Sequence, residues 1–169
     1  MLPEPNVRRH LLRDEGEVVV DEVRKHAVAY LRPAAEGALG LLLLIGVPFV
    51  DPDLAWVPLV VAIALLLHAA WLALQARMDV FVITNMRVFR VHGVLATELA
   101  TMPLTRILDI TVAKPLIGRV LGYGHFVFES AATEQGLRDI RYVGRPDARD
   151  LAIQRVVQRS GLRGPRVVN

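Results

Sequence analysis

The sequence predicts an α+β membrane protein in which two transmembrane helices precede a small antiparallel β domain and a C-terminal helix. Two apolar runs, residues 33–50 and 54–76, support the first part of this prediction. From residue 78 onwards, short segments rich in β-branched and aromatic residues alternate with turn residues, which is typical of strands. A mean hydropathy of +0.39 agrees with a chain that places part of its length in lipid.

The two apolar runs are each about long enough to cross the hydrocarbon of a bilayer. The turn Asp51-Pro52-Asp53 separates them, and so short a connection predicts an antiparallel hairpin. Two buried core helices are the alternative interpretation. The first run begins only after a long polar or mixed segment and a second run follows it, which is atypical of a cleaved signal peptide.

Basic residues flank the hairpin but are absent from its turn. Arg24, Lys25 and Arg32 precede the first run, and Arg77 follows the second. The positive-inside rule therefore predicts two spans with both termini cytoplasmic. Arginine outnumbers lysine strongly, which is typical of a GC-rich bacterial genome and indicates a bacterial plasma membrane. The predicted organisation is an N-terminal segment 1–32 with flexible residues 1–13, the hairpin 33–76, the β domain 78–159 and a flexible tail 160–169.

Glu36 and His68 are the candidate intramembrane polar residues, because an ionisable group within a span is a functional hypothesis by default. Glu36 lies near the start of the first run, where we expect it to snorkel or to meet Arg77 or Gln75. His68 lies deeper, and a neutral imidazole bonded to the first helix is the alternative to a proton-relay role. Since two helices enclose no pathway, a relay requires an oligomer.

The β domain begins with two well-marked strands, residues 79–84 and 87–92, joined by a turn at Asn85-Met86. Asp147 is predicted to cap the C-terminal helix. Residues 17–23 form either a further strand of the sheet or a short peripheral element. The remaining predicted elements are a weaker strand at 94–102, strands at 106–113, 125–130 and 137–143, and a helix at 147–159.

Three motifs follow the hairpin in order: TNMR at residues 84–87, PLTRI at 103–107 and GRVLGYG at 118–124. Together they resemble the bacterial PH-domain family of small membrane proteins, over roughly residues 17–157. The resemblance implies a PH-like antiparallel β-barrel, bent and partly open, of about seven strands and capped by a C-terminal helix. It also implies an interaction fold without catalytic activity, in which Asn85 and the motif glycines are structural residues.

The glycine-rich stretch Gly118–Ser130 invites comparison with a phosphate-binding loop. A dinucleotide loop follows a strand and opens a helix, whereas these glycines precede a strand, and a P-loop lysine is absent from the stretch. We therefore expect a structural corner, with a short helical turn at 116–121. Gly118, Gly122 and Gly124 then permit dihedral angles or close contacts that a side chain forbids.

The sequence favours a membrane-anchored cytoplasmic binding or scaffolding module. The expected partners are membrane lipids and a membrane-protein partner or a second copy of the chain. The alternatives are a helical-hairpin subunit of a transport or secretion complex and an anionic-lipid sensor. Basic residues beside the bilayer are candidate lipid or partner contacts, although positive-inside bias and solvated strand faces also account for them: Arg77, Arg87, Arg90, Lys114 and Arg119.

Catalysis, cofactors and metals are not expected. The chain has no Cys, its five histidines are scattered outside metal-binding spacings, and it has no Gly-x-Ser-x-Gly elbow. Nucleic-acid binding is not expected either, despite a pI of about 9.8, because the basic residues form no stripe with interleaved aromatics.

Overall fold

The computed structural model describes residues 7–130, 137 and 139–159, and it divides into two compact units. The expected flexible tail 160–169 and residues 1–6 lie outside the described residues. The hairpin unit is Ala27–Arg77, and the β unit is the remainder. The helices are α1 (Leu31–Gly46), α2 (Trp56–Arg77), α3 (Leu116–Leu121) and α4 (Pro146–Arg159); the strands are β1 (Val19–Arg24), β2 (Val80–Thr84), β3 (Arg87–His92), β4 (Glu98–Pro103), β5 (Ile107–Ala113), β6 (Tyr123–Ser130) and β7 (Asp139–Gly144).

In the hairpin unit, α1 and α2 pack through small residues. Ala62 and Ala69 are buried, and a Cβ at Gly40 would lie 3.2 Å from the Ala62 carbonyl oxygen, so glycine lets the helices approach closely there. Short 3₁₀ turns, Ala27–Tyr30 and Val47–Phe49, extend α1 at both ends. Both helical segments are long and apolar enough to cross a membrane.

The strands of the β unit form two antiparallel sheets, in the orders β1-β2-β3-β4 and β5-β6-β7. Among the described residues, a bridge between Lys25 and Val143 joins the two sheets, and no ladder joins β4 to β5. The described strands therefore form two sheets and not a closed barrel, so the partly open barrel that the resemblance implies stays a prediction. The physical reason lies in the family motif itself: Pro103 ends β4, and the 3₁₀ turn Leu104–Arg106 separates it from β5.

All five residues of β2 are buried, because both of its faces are covered. Phe81 and Ile83 enter the main core, while Val80 and Val82 enter a second cluster. Val7 is buried in that second cluster. Residues 7–10, part of the segment expected to be flexible, form a 3₁₀ turn whose Val7 side chain covers the sheet.

Helix α4 covers the main core with Ile153, Val156 and Val157, which are all buried. The helix begins at Pro146, whose fixed φ suits a first helical turn. Asp147, the predicted cap, consequently lies inside the first turn, as the second residue of the helix.

Candidate binding surface

The Thr-Asn-x-Arg turn between β2 and β3 binds the N-terminal segment of the β unit. The Asn85 side chain accepts a hydrogen bond from the Val18 N–H at 2.8 Å and donates one to the Gly16 carbonyl at 3.1 Å. The Thr84 hydroxyl lies 2.8 Å from Glu17 Oε1. Asn85 therefore ties the turn to the segment that leads into β1.

Arg87, a candidate lipid contact, is held inside the β unit by Glu17. Its Nε and Nη2 donate to the two carboxylate oxygens at 2.9 and 3.1 Å, and Nη2 also donates to the His10 carbonyl at 2.6 Å. The Glu17 side chain is 0% exposed and that of Arg87 is 18% exposed. Burial raises the pKa of Glu17, but hydrogen bonds from Arg87, a backbone N–H and Thr84 outweigh it and lower that pKa below its ordinary value.

Arg90 is engaged in a second buried ion pair. Its Nε and Nη2 donate to the two oxygens of Asp79, each at 2.7 Å, and Lys25 Nζ lies 2.7 Å from Asp79 Oδ2. Burial raises the pKa of Asp79, but the two cations outweigh this effect and lower it. The cluster joins the ends of β1, β2 and β3, so Arg90 serves the packing of the sheet.

Lys114 and Arg119 lie on either side of the start of α3. Lys114 pairs with Asp147 of α4, whereas Arg119 is exposed on the helix. Arg87 lies beside the first residues of β1, and α3 lies beside its last residues, so the structure places these candidates at opposite ends of the β unit. The basic candidates of this unit do not form one patch. Arg77 belongs to the hairpin unit.

The glycine-rich stretch forms a corner between α3 and β6. Gly122 ends the helix with φ +76°, a left-handed conformation that favours glycine. A Cβ at Gly118 would lie 2.5 Å from the Tyr123 carbonyl oxygen, and a Cβ at Gly124 would lie 3.1 Å from Pro146. Gly118 therefore lets α3 approach β6 closely, and Gly124 lets β6 approach α4.

Four aromatic rings gather where the chain leaves the β unit, a cluster that the sequence analysis did not single out. Tyr123 stacks on His26 with ring centroids 5.8 Å apart, and it also contacts His125 and Tyr142. Tyr142 has a φ of +61°; its N–H donates to His125 Nδ1 at 3.1 Å, and its carbonyl accepts from the His26 N–H at 2.7 Å. Burial and the nearby Arg141 lower the pKa of His125, which keeps the accepting imidazole neutral.

Helix α3 exposes its apolar side, which the sequence analysis also missed. Leu116, Ile117 and Val120 are 79%, 65% and 84% exposed, and Leu121 is 45% exposed. At 3.6 residues per turn these four side chains form one stripe about 140° wide, whereas Gly118 is buried against β6. The signal in the sequence is apolar residues at i, i+1, i+4 and i+5, with Gly118 among them and Gly122 directly after them.

In the hairpin unit, Glu36 and His68 meet. Glu36 Oε2 lies 2.6 Å from His68 Nδ1, and Glu36 Oε1 accepts from Arg32 Nε at 2.9 Å. The expected alternatives for Glu36, a contact with Arg77 or Gln75, are therefore replaced by Arg32, one turn earlier on α1, and His68 on α2.

A comparison of the chain with models of known protein families identifies one family. The family model described as "Bacterial PH domain" matches residues 39–162. No curated protein and no solved structure matches the chain. The match covers the second half of α1, all of α2 and the six strands β2 to β7, and the chain belongs to the bacterial PH-domain family.

Proposed function

We propose that this protein is a membrane-anchored binding or scaffolding module without catalytic activity. The outward surface of the hairpin unit carries the proposal. Leu42, Ile45 and Leu67 are each exposed by about two thirds of their surface, and most other outward positions are also apolar. Exposure of such a surface to water is unfavourable, because apolar area is stabilised when it leaves water. Exposure of the same surface to the hydrocarbon of a bilayer carries no such cost.

The orientation of the anchor follows from charge. Arg24, Lys25, Arg32 and Arg77 lie near the outer ends of the helices, while the connecting turn carries only acidic charges. Positive residues remain on the cytoplasmic side during insertion. Both termini and the β unit are therefore assigned to the cytoplasm of a bacterial cell, with the turn on the opposite side.

The contacts of the two buried carboxylates, Glu17 and Asp79, favour a binding role over catalysis. Glu17 and Asp79 each accept two hydrogen bonds from an arginine of β3, which leaves them engaged in stabilising the β1–β4 sheet and the segment before it. In the part of the chain that the structure describes, no three His, Asp or Glu side chains lie close enough together to hold a metal ion. These features support a fold that recognises another molecule and does not transform it.

Purification of the full-length protein from its own membrane, followed by mass spectrometry of co-purified proteins and lipids, tests this role. We expect a reproducible protein partner or an enriched anionic lipid, relative to an unrelated two-span protein purified in parallel. A protein partner without enriched lipid contradicts the lipid-sensor alternative. If neither protein nor lipid exceeds the control, the binding role is wrong.

The hairpin unit also supports a second candidate function, that of a subunit in a membrane complex. The side chain of His68 is 52% exposed on α2, which is costly toward lipid unless another helix covers it. A groove of 370 Å³ lies between the two helices and is lined mainly by small residues, among them Ala34, Gly37, Ala70 and Ala73.

Size-exclusion chromatography with light scattering in mild detergent tests the complex. The wild-type protein should elute as an oligomer, and Glu36→Gln and His68→Leu should shift it toward the monomer. Leu67→Ala, at a neighbouring exposed position without a polar contact, is the control. A wild-type protein that is monomeric at every concentration contradicts the candidate.

A further inference from the structure

Both chain connections to the hairpin unit leave the β unit at the same end. The antiparallel register pairs Arg24, the last residue of β1, with Val80, the first residue of β2. The chain departs after His26 and returns at Met78, so both connections lie within two residues of that pair. We call this the connection end of the β unit.

Helix α3 lies at the connection end. Lys25 forms a bridge with Val143, which pairs with Gly124 near the start of β6. Tyr123, one residue beyond the glycine that ends α3, stacks on His26. His26, after which the chain leaves the β unit, therefore contacts Tyr123, the first residue of the strand that follows α3.

The amphipathic character of α3 is the reverse of that in a soluble domain. A surface helix normally turns its apolar stripe toward the core. In α3 the buried position is Gly118, and the stripe of Leu116, Ile117, Val120 and Leu121 faces outward. Gly118 packs closely against Tyr123, so the side of α3 that faces β6 carries no apolar side chain and the stripe stays exposed.

The surroundings of the stripe indicate what covers it. Arg119 flanks the stripe and is exposed. Leu95, which is 89% exposed, lies in the β3–β4 turn at the same end, because Val91 near the end of β3 pairs with Val80. Exposed apolar side chains bordered by a cation are typical of segments that enter the headgroup region of an anionic bilayer.

We propose that α3 inserts its apolar stripe into the interface of the anionic bilayer that anchors the protein, with Arg119 contacting lipid phosphates. The stripe lies at the end of the β unit from which both connections to the apolar hairpin depart, and a bilayer matches both its apolar surface and its positive charge. The proposal rests on the membrane anchoring of the proposed function. It adds a second, peripheral lipid contact, made by the β unit itself.

Depth-dependent fluorescence quenching in proteoliposomes tests the insertion. The chain has no Cys, so Val120→Cys gives a single site for a bimane label on a side chain that is 84% exposed. The vesicles contain phosphatidylethanolamine and phosphatidylglycerol. We expect lipids with a doxyl group on the acyl chain to quench this label strongly and aqueous iodide to quench it weakly.

Two matched labels make the outcome specific. Ile63→Cys, on the outward surface of α2, reports the anchoring of the hairpin; Met86→Cys, in the β2–β3 turn at the opposite end of the β unit, reports an exposed apolar position away from the connection end. If Ile63 escapes doxyl quenching, the membrane anchor itself is wrong. If Ile63 is quenched by doxyl lipid while Val120 is quenched by iodide as Met86 is, the anchor stands and the insertion of α3 is wrong.

Two further measurements determine whether a bilayer or a second copy of the chain covers the stripe, and whether the charge of Arg119 contributes. Disulfide-linked dimers of unlabelled Val120→Cys, formed in preference to those of Met86→Cys, would show that a second copy covers the stripe and would overturn the proposal. Arg119→Glu in the Val120→Cys background should reduce doxyl quenching in anionic vesicles more than in purely zwitterionic ones. An equal loss of doxyl quenching in anionic and zwitterionic vesicles would overturn the proposed contact of Arg119 with lipid phosphates.

Discussion

Arg87 and Glu17 show why a basic residue that follows two candidate membrane spans is not necessarily a lipid contact. The Glu17 carboxylate has no exposed surface, and an unpaired buried charge costs several kcal/mol. Its oxygens instead accept hydrogen bonds from Arg87 and from the Leu12 N–H. The pair joins residues 70 positions apart and holds the N-terminal segment against the β2–β3 turn.

Removal of the arginine should therefore destabilise the β unit and spare the membrane anchor. We expect Arg87→Ala to lower the free energy of unfolding by about 3 kcal/mol, because Glu17 is left buried without its cation. Chemical denaturation in detergent micelles, followed by the circular dichroism of the β unit, measures the change. Arg119→Ala, at an exposed position, should stay within about 0.5 kcal/mol of wild type. An equal effect of both substitutions contradicts the structural role of Arg87.

Asp79 makes stability depend on pH in the acid range. Its pKa in the folded protein lies below the ordinary value of 3.8, because Arg90 and Lys25 outweigh the effect of burial. A lowered carboxyl pKa stabilises the fold above the unfolded-state pKa, and this stabilisation is lost as the pH falls through the folded pKa. The stability difference between wild type and Asp79→Asn should thus shrink below about pH 4.

Thermal unfolding of both proteins across the acid range measures that difference. His125, whose pKa is lowered from 6.5, contributes a loss of stability that begins at higher pH and is common to both proteins. A difference between wild type and Asp79→Asn that stays constant down to pH 3 would contradict the role of Asp79.

The corner formed by α3 and β6 depends on two glycines for different reasons. Gly122 has a positive φ but open space around it, so Gly122→Asn should be tolerated and Gly122→Val should cost about 2 kcal/mol. Gly118 has no unusual φ, but an added Cβ would collide with the Tyr123 carbonyl, so Gly118→Ala should cost about 1–3 kcal/mol. Thermal melts of the three variants in detergent provide the comparison. Equal melting of Gly122→Asn and Gly122→Val would contradict the backbone argument.

The strands were predictable where both the local pattern and the turn residues agreed. β3 has the predicted bounds, Arg87–His92, because its alternation is interrupted on both sides by turns. β4 begins at Glu98, four residues later than predicted, since the apolar Val94 and Leu95 lie in a turn and not in the ladder. The division of the seven strands into two sheets was not predictable, because a strand pattern does not specify which edges pair.

The candidate contacts were less predictable than the fold. A sequence shows that Arg87 and Arg90 are basic, but it does not show which distant carboxylates meet them. Their partners, Glu17 and Asp79, lie in other strands or segments, and pairing across the sheet decides whether each cation is exposed. The exposure of the apolar stripe of α3 was also not predictable, because apolar residues at helical spacing normally indicate a buried face.

Within the whole chain, the hairpin unit is an insertion into the β unit. β1 precedes the hairpin, the six other strands follow it, and β1 still pairs with β2 across 51 intervening residues of the hairpin unit. Such an insertion fixes topology: if the hairpin crosses the bilayer twice, β1 and β2 are necessarily on the same side. One strand pairing therefore requires an even number of crossings.

Single-cysteine accessibility in intact cells tests this topology. We expect Asp53→Cys, in the acidic turn, to react with a membrane-impermeant maleimide before lysis, and Met86→Cys, in the β unit, to react only after lysis. The reason is the distribution of positive charge. The helix ends that connect to the β unit along the chain carry or adjoin four basic residues: Arg24, Lys25, Arg32 and Arg77. The opposite orientation would require these four cations to cross the bilayer. Labelling of Met86→Cys alone before lysis would reverse the orientation. If both sites react only after lysis, the two crossings of the hairpin are contradicted, because a hairpin that stays on the cytoplasmic side exposes no residue to the outside.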